Sequence, residues 1–390
     1  MKTLKQFHQD FSISAMVAGF IVTLVGMTSS AIVVFQAASS FGADAATSSS
    51  WLGSLCLGMG ILTIYLSLKY KTPILMAWST PGAALLIASS EGVVVSDLIG
   101  AFLFSSVLII FSGLTGLFEK AMSRIPLGVA SALLAGVLLN FTLNAFTSFN
   151  TQPLLIVCMF VTYIVTKKFI PNLSMLFVLL VGILTAAMIQ QLHFQSVKVV
   201  ATQFTFMAPT FSWITMIGIG FPLFVVTMAS QNITGVTIMR SYGYTNPTSR
   251  ILTKTGIVNF ITSFFGGFTI NLAAITAAIA MSPEAHPNKN QRYVAAVVSG
   301  MIYIIIGLMA GTVTSLFAAF PKELIAAIAG LALLGTVSSG LQKIFVEETE
   351  REAAFITFVI AASGLKFLNI VSAFWALVVG GLVLFFTKKK

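Results

Sequence analysis

Four groups of polar side chains lie in the middle of apolar stretches, and their chemistry sets them apart from the rest of the sequence. They fall in MTSSA (27–31), WST (78–80) and ASQNITG (229–235), and at Asn271. Hydroxyls and amides at such places need polar partners or a water-filled cavity. The sequence holds no nucleophile paired with a base, no phosphate-binding loop and no spacing typical of metal ligands. It therefore predicts a binding site without a cofactor or a metal, and not an enzyme.

One of these groups lies where an apolar stretch cannot form an unbroken helix. Pro81 is tolerated at the first position of a helix, because its missing N–H would find no partner there. The sequence therefore predicts an extended chain from Lys71 to Trp78, Thr80 as the N-cap, and a short helix that begins at Pro81. Such a half-helix is tolerated in lipid only where its backbone lines a protein cavity. A purely structural cap is the alternative role for Thr80.

A second interruption occurs in GGFTINLAAITAAIA (266–280). Gly266 and Gly267 break the apolar stretch, and Asn271 is predicted to cap a helix that begins at Leu272. A purely structural cap is the alternative here as well. Paired interrupted stretches in the two halves of a membrane protein indicate the binding site of a transporter.

The composition is that of an integral membrane protein. Of the 390 residues, 57% are hydrophobic and 8% are charged, and the mean hydropathy is +0.99. Soluble proteins carry about 25% charged residues. The apolar stretches are about 20 residues long, which predicts helices rather than the strands of a barrel. Cys56 and Cys158 both lie inside apolar stretches, so no disulfide is predicted.

The basic residues favour a chain that crosses the membrane many times. With a cytoplasmic N-terminus and fourteen crossings, only Lys198, Lys322 and Lys366 lie outside, so that 18 of the 21 basic residues lie inside. This bias is the one that membrane proteins show. The net charge of +10 therefore reflects orientation in the bilayer and not binding to nucleic acid. The fourteen segments are 13–37, 51–67, 73–89, 96–118, 126–145, 153–166, 171–190, 211–234, 250–265, 267–282, 293–317, 321–340, 353–365 and 368–387.

The order of features divides the fourteen segments into two sets of seven. Segment three matches segment ten in being interrupted, and segment one matches segment eight in carrying a polar group. Because seven is odd, the two halves must have opposite orientations in the membrane. The predicted fold class is an all-α polytopic membrane protein with fourteen transmembrane segments in a 7+7 inverted repeat, in which spans 3 and 10 are interrupted half-helices.

Three stretches resemble the signature stretches of the BenE-type benzoate:proton symporter family, which is related to the nucleobase and sulphate permeases. They are AGFIVTLVGMTSSAIVVFQAA, SLKYKTPILMAWSTPGAALL and GGFTINLAAITAAIAMSPEAH. The resemblance implies a core domain formed by spans 1–4 (residues 1–125) and spans 8–11 (209–318). It implies a gate domain formed by spans 5–7 (126–192) and spans 12–14 (319–390).

The resemblance also implies where a ligand binds, namely between the half-helices of spans 3 and 10 and beside spans 1 and 8. Nucleobase permeases carry carboxylates in spans 8 and 10, where this sequence has amides, so the proton carrier is not identified. The three hydroxyls of span 1 have close helix packing as an alternative role. The implied substrate-binding residues are Thr28, Ser29, Ser30, Trp78, Ser79, Thr80, Gln231, Asn232, Thr269 and Asn271.

The function implied is a secondary transporter that imports benzoate or a similar aromatic carboxylate with protons by alternating access. No Lys or Arg lies in the middle of spans 1, 3, 8 or 10, so helix N-termini, each worth about half a positive charge, are expected to hold the anion. The alternatives are a nucleobase or inorganic-anion permease of the same fold and an uncoupled, channel-like facilitator, which would need a continuous polar path. The expected partners are the substrate, protons and the lipid bilayer, with no nucleic acid. The expected location is the bacterial inner (plasma) membrane, multi-pass, with both termini cytoplasmic; a homodimer is one of the oligomeric states that the sequence allows.

Overall fold

The computed structural model describes residues 9–116, 127–192, 197–273, 275–283, 285–368 and 370–387. The regular elements in these ranges are helices, apart from four very short strands that form two two-stranded sheets, and residues 197–212 form neither helix nor strand. The elements of the first half are α1 (Ile13–Ser40), α2 (Ala45–Tyr70), β1 (Met76–Trp78), α3 (Thr80–Ala88), α4 (Val95–Thr115), α5 (Leu127–Thr147), α6 (Pro153–Phe169) and α7 (Ser174–Met188).

The second half repeats the order of long helices around one short strand and one short helix. Its elements are α8 (Trp213–Ser241), α9 (Thr248–Ser263), β2 (Ile270–Leu272), α10 (Ile275–Met281), α11 (Tyr293–Leu308), α12 (Ala310–Ala318), α13 (Lys322–Ile344), α14 (Glu348–Ala362), β3 (Lys366–Phe367), β4 (Ile370–Val371) and α15 (Ser372–Thr387).

Each of the fourteen apolar segments contains a helix. Seven helices in the described part of the chain are long and apolar enough to cross a membrane. The prediction of a helical, polytopic membrane protein is therefore confirmed.

Capping residues in the sequence determine where the first two helices begin. Ser12 caps α1, because its hydroxyl accepts a hydrogen bond from the Ala15 N–H at 3.2 Å. Asp44 caps α2 and accepts from the Thr47 N–H at 2.8 Å. That hydrogen bond holds the pKa of the Asp44 carboxyl below its usual value, because it favours the charged form. Side chains at N-caps supply an acceptor for N–H groups that the helix leaves unused.

The long helices pack in two groups. In the first group, α2 packs on α11, α4 on α9, and α1 on α11. In the second, α5 packs on α13 and α14, α14 on α15, and α6 on α7. The two groups meet where α1 contacts α13 and where α3 and α8 contact α5. The short elements β1, α3, β2 and α10 therefore lie among long helices and not at the edge of the fold.

Candidate functional site

The two interrupted segments meet in a small antiparallel ladder. Met76 pairs with Leu272, Ala77 with Asn271, and Trp78 with Ile270. The short helices α3 and α10 follow the two strands, so they lead away from the ladder in opposite directions. The predicted interruption of both segments is therefore confirmed, and the structure adds that the two interruptions pair with each other.

Side chains from neighbouring helices satisfy the outer edges of this ladder. The Thr63 hydroxyl accepts a hydrogen bond from the Met76 N–H at 3.0 Å. The Asn259 amide bonds Ile270 twice: it accepts from the backbone N–H at 2.8 Å and donates to the carbonyl at 3.0 Å. Asn232 accepts from the Leu272 N–H at 3.0 Å. Unpaired backbone groups are costly in an apolar interior, so these side chains are what allow an extended segment there.

The predicted cap of α3 is wrong by one residue. Ser79 is the N-cap, and its hydroxyl accepts from the Gly82 N–H at 3.0 Å. The Ser79 carbonyl accepts from the Ala83 N–H at 2.8 Å, and Pro81 has no N–H. The first turn of α3 therefore offers a ligand fewer backbone donors than the sequence predicts. The hydroxyl of Thr80 remains, because Thr80 is the first helical residue and not the cap.

The predicted role of Asn271 as a helix cap is also wrong. Asn271 lies within β2, opposite Ala77, and its Nδ2 donates to the Leu272 carbonyl at 2.9 Å. The helix begins at Ile275 and not at Leu272. Pairing with β1 holds this part of the chain extended, so that the helix can start only after the ladder ends.

A cavity of about 550 Å³ lies beside the ladder and the start of α3. Its wall contains Ala77 and Ala273 from the ladder region, and residues from α1, α2, α3, α5, α8, α10, α11 and α13 complete it. Five of the ten predicted site residues lie in the wall: Ser29, Ser30, Trp78, Thr80 and Gln231.

The other five predicted site residues do not lie in the cavity wall, and each has a partner in the protein. Ser79 caps α3, and Asn232 and Asn271 bond the ladder. Thr28 donates to the Leu24 carbonyl at 2.8 Å, and Thr269 accepts from the Thr227 hydroxyl at 3.3 Å. These residues shape the cavity from behind, and contact with a substrate stays a prediction for all ten.

The Trp78 side chain is held in place by one chain of hydrogen bonds. Its Nε1–H donates to the Ser30 hydroxyl at 2.9 Å, and that hydroxyl donates to the Gly26 carbonyl at 3.2 Å. The Trp78 ring also packs edge-to-face with Tyr303, with centroids 6.2 Å apart. The indole thus contributes an aromatic surface to the cavity and no free donor.

Gln231 and Asn232 lie in an irregular part of α8. The segment Thr227–Asn232 is a π-helix, as is Met216–Gly220 in the same helix. Such segments insert an extra residue into the helical turn and are common at functional sites. The two neighbouring amides have different surroundings, since successive residues of a helix point in different directions. Gln231 lies in the cavity wall, whereas Asn232 is buried against β2.

Two polar stripes and one tyrosine in the cavity wall are missing from the ten predicted site residues, although Ser230 and Thr234 lie in the polar stretch 229–235. The first stripe lies on α8 and the second on α13, and each has helical spacing that was visible in the sequence. Tyr303 on α11 carried no such signal. The stripes are Ser230, Thr234 and Thr237, and Thr336, Ser339 and Lys343.

The cavity wall contains one cationic side chain and no carboxylate within the part of the chain that the structure describes. The cation is Lys343, in the last turn of α13. Lys343 follows the predicted span 12 (321–340), so the expectation of no cation in the middle of spans 1, 3, 8 and 10 does not conflict with it. The electrostatic character of the cavity favours an anion over a cation.

The family model of the benzoate membrane transport protein, BenE, matches residues 9–386 of this chain. The chain belongs to the benzoate membrane transport protein family. The prediction from the three stretches is confirmed, and the chain is a membrane transporter and not an enzyme. Among its relatives is the "Inner membrane protein YdcO" of Escherichia coli, 41% identical over 94% of each chain. Another is the "Benzoate membrane transport protein" of Acinetobacter baylyi, 34% identical over 99% of this chain and 98% of the relative.

Solved structures of anion transporters share the fold of this family member. The transmembrane domain of the cyanobacterial bicarbonate transporter BicA matches with a TM-score of 0.64 at 14% identity, over 94% of this chain and 98% of that one. The murine anion transporter Slc26a9 in its inward-facing state matches with a TM-score of 0.62 at 13% identity, over 97% of this chain and 69% of that one. At these identities the likeness concerns the fold alone.

Proposed function

We propose that this protein is a secondary active transporter that imports benzoate, or a similar aromatic carboxylate, together with protons. The observation that carries the proposal is the cavity at the crossing of the two interrupted segments. Among the residues that the structure describes, its wall combines the Trp78 ring, hydroxyl donors such as Thr80, one lysine and no carboxylate. An aromatic ring beside a carboxylate needs this combination of an apolar surface and donors. The name of the Acinetobacter baylyi relative supports the same substrate.

The proposed architecture is fourteen spans in a 7+7 inverted repeat, in the bacterial inner membrane with both termini in the cytoplasm. The antiparallel pairing of β1 with β2 supports it, because inverted halves bring equivalent strands together in opposite directions. The two groups of packed helices support a core domain (1–125 and 209–318) and a gate domain (126–192 and 319–390). The cavity lies between these domains, where rocking of one against the other would give alternating access.

Uptake into proteoliposomes tests the function directly. Labelled benzoate should accumulate above its outside concentration when a pH gradient is imposed, and a protonophore should abolish the accumulation. An uncoupled facilitator would only equilibrate benzoate. Competition by nucleobases, sulphate and bicarbonate measures the selectivity, and uptake of one of these without uptake of benzoate would assign the protein to a different substrate class.

The variant Thr80→Val should weaken benzoate binding about 10-fold to 100-fold, the usual effect of losing a hydrogen bond to a charged group. Calorimetry on the purified protein at fixed pH measures this change. Neutral benzamide should be much less sensitive, because it carries no charge. Thr185→Val is the matched control, since the Thr185 hydroxyl donates to the Val181 carbonyl at 2.8 Å on α7, outside the cavity wall. Equal benzoate affinity in Thr80→Val and the control would exclude Thr80 from the anion site.

Cysteine labelling checks the proposed orientation. Glu91 and Asn290 are both exposed, and fourteen crossings place them on opposite sides of the membrane. In a background with Cys56→Ala and Cys158→Ala, Glu91→Cys should react with an impermeant thiol reagent from outside. Asn290→Cys should react only after the cytoplasmic side is opened. Reaction of both cysteines from the same side would contradict fourteen crossings.

A further inference from the structure

The strongest unassigned feature of the cavity is the hydroxyl of Tyr303. Tyr303 lies on α11 and in the cavity wall, and its side chain is only 4% exposed. Among the described residues, its hydroxyl has no hydrogen-bond partner. The protein does not enclose that hydroxyl oxygen completely, whereas Asn271 Oδ1 is both completely enclosed and without a partner. The small exposed part of Tyr303 therefore includes its oxygen, which faces the cavity.

The backbone of α1 is shaped to receive this hydroxyl. A Cβ added to Gly26 would overlap the Tyr303 oxygen, whereas the next nearest atom, Tyr303 Cζ, would lie at 3.5 Å. Glycine at position 26 thus lets the phenol lie directly against α1. Gly26 is also in the cavity wall, so the Tyr303 hydroxyl lies where α1 lines the cavity.

The neighbouring donors are already used. Trp78 Nε1–H donates to Ser30, and the Ser30 hydroxyl donates to the Gly26 carbonyl. The Tyr303 hydroxyl therefore remains as a donor in this corner, next to the Trp78 ring that it meets edge-to-face. A phenol hydroxyl both donates and accepts, and a buried donor without a partner is costly unless a ligand or water completes it.

We propose that the Tyr303 hydroxyl binds the substrate by donating a hydrogen bond to its carboxylate, while the substrate ring packs against Trp78. The proposal rests on the proposed function and adds a specificity-determining residue to it. An aromatic surface and a hydroxyl donor side by side select a carboxylate attached directly to a ring. An aliphatic carboxylate would lose the contact with the indole, and a neutral aromatic compound would lose the charge-assisted hydrogen bond.

The test is the binding of benzoate and of methyl benzoate to Tyr303→Phe, measured by calorimetry on the full-length protein in detergent. We expect benzoate binding to weaken about 10-fold to 100-fold and methyl benzoate binding to change less than about twofold. Tyr163→Phe on α6 is the matched control, because Tyr163 is partly buried and lies outside the cavity wall. It should bind benzoate like the parent.

Gly26 provides a second test that does not depend on removing the hydroxyl. Gly26→Ala should displace the phenol, lowering both the melting temperature and the benzoate affinity. The double variant Gly26→Ala/Tyr303→Phe should recover the melting temperature, because the remaining ring atom is at ordinary contact distance. Its benzoate affinity should equal that of Tyr303→Phe alone.

The outcomes separate this proposal from the proposed function. If the parent accumulates benzoate and Tyr303→Phe binds it within twofold of the parent, the hydroxyl is merely hydrated and the proposal fails while the function stands. If the parent binds no aromatic carboxylate, both are overturned. A loss that is equal for benzoate and methyl benzoate would show a general defect of packing and would also overturn the role of the hydroxyl.

Discussion

Crosslinking residue 91 to residue 366 is expected to stop transport almost completely and reversibly. Lys366 Nζ donates to the Glu91 carbonyl at 3.0 Å and lies 3.9 Å from its carboxylate. Glu91 lies between α3 and α4, in the proposed core domain, and Lys366 lies between α14 and α15, in the proposed gate domain. This exposed contact thus joins the two domains directly.

A nearly complete loss of transport is expected because of where this contact lies relative to the cavity. Lys343, in the cavity wall, precedes α14, and Lys366 follows it. If α14 crosses the membrane as proposed, the two lysines lie on opposite sides. The contact between residues 91 and 366 then closes the side opposite Lys343, and it must open once in every transport cycle. An exposed ion pair contributes little energy, so the native pair can open readily, whereas a covalent link cannot.

The experiment uses Glu91→Cys/Lys366→Cys in the background without Cys56 and Cys158, treated with a bifunctional methanethiosulfonate reagent. Benzoate uptake should fall to the level of empty liposomes and return after reduction. Benzoate binding should remain measurable, because the cavity stays open towards Lys343. Each single-cysteine variant, treated alike, controls for modification without a link.

A crosslink within the core domain is the matched control for this experiment. The Thr210 hydroxyl donates to the Asp97 carboxylate, and both residues belong to the proposed core. The pair Asp97→Cys/Thr210→Cys should keep its transport after crosslinking. Undiminished uptake by a protein with a confirmed link between residues 91 and 366 would contradict motion of one domain against the other.

The interruptions of the two short segments could be predicted from the sequence because local rules cause them. Pro81 removes a helix hydrogen bond and is favoured at a helix start, and the Gly266–Gly267 pair weakens any helix that contains it. The resulting positions of β1, α3, β2 and α10 agree with those expectations to within a few residues. Capping, by contrast, depended on which of two adjacent hydroxyls, Ser79 or Thr80, met the Gly82 N–H.

The roles of Asn232 and Asn271 could not be predicted, because they follow from contacts between distant parts of the chain. Ala77 pairs with Asn271, almost two hundred residues away in the sequence, and no local rule indicates that pairing. Once the strands pair, Asn232 is needed at the ladder edge. The same amide read from the sequence alone is equally consistent with a ligand contact.

The sequence also could not predict which face of each helix lines the cavity. In a segment that is apolar on all sides, hydrophobic periodicity gives no direction. Tyr303 is one of seven tyrosines and lies among 34 phenylalanines, so its type alone carried no information. Its proposed role rests on contacts with Gly26 and Trp78, which lie on two other elements. The polar stripe of Thr336, Ser339 and Lys343 is different, since its helical spacing was available.

The largest loss of stability is expected from Gly266→Ala, at the turn that joins α9 to β2. Gly266 has a φ of +84°, in the left-handed region that side chains disfavour by about 1–2 kcal/mol. A Cβ at this position would also overlap the Trp51 indole. Trp51 is fully buried and packs on Phe102 and Phe268, with centroids 5.7 and 6.5 Å away, so it has no space to move.

Overpacking of a tight core costs about 1–3 kcal/mol, so the two effects together predict a loss of about 2–5 kcal/mol in the free energy of unfolding. Thermal melting in detergent measures the loss as a lower midpoint for Gly266→Ala. Gly42→Ala is the matched control, because Gly42 has a φ of +73° and its added Cβ would meet no atom within 4 Å. That variant should show only the smaller backbone cost.

The double variant Gly266→Ala/Trp51→Ala tests the contact with the indole. It should lose less stability than the sum of the losses of the two single variants, because the new methyl group then fills part of the space left by the indole. Equal melting of Gly266→Ala and Gly42→Ala would show that Trp51 does not confine the turn.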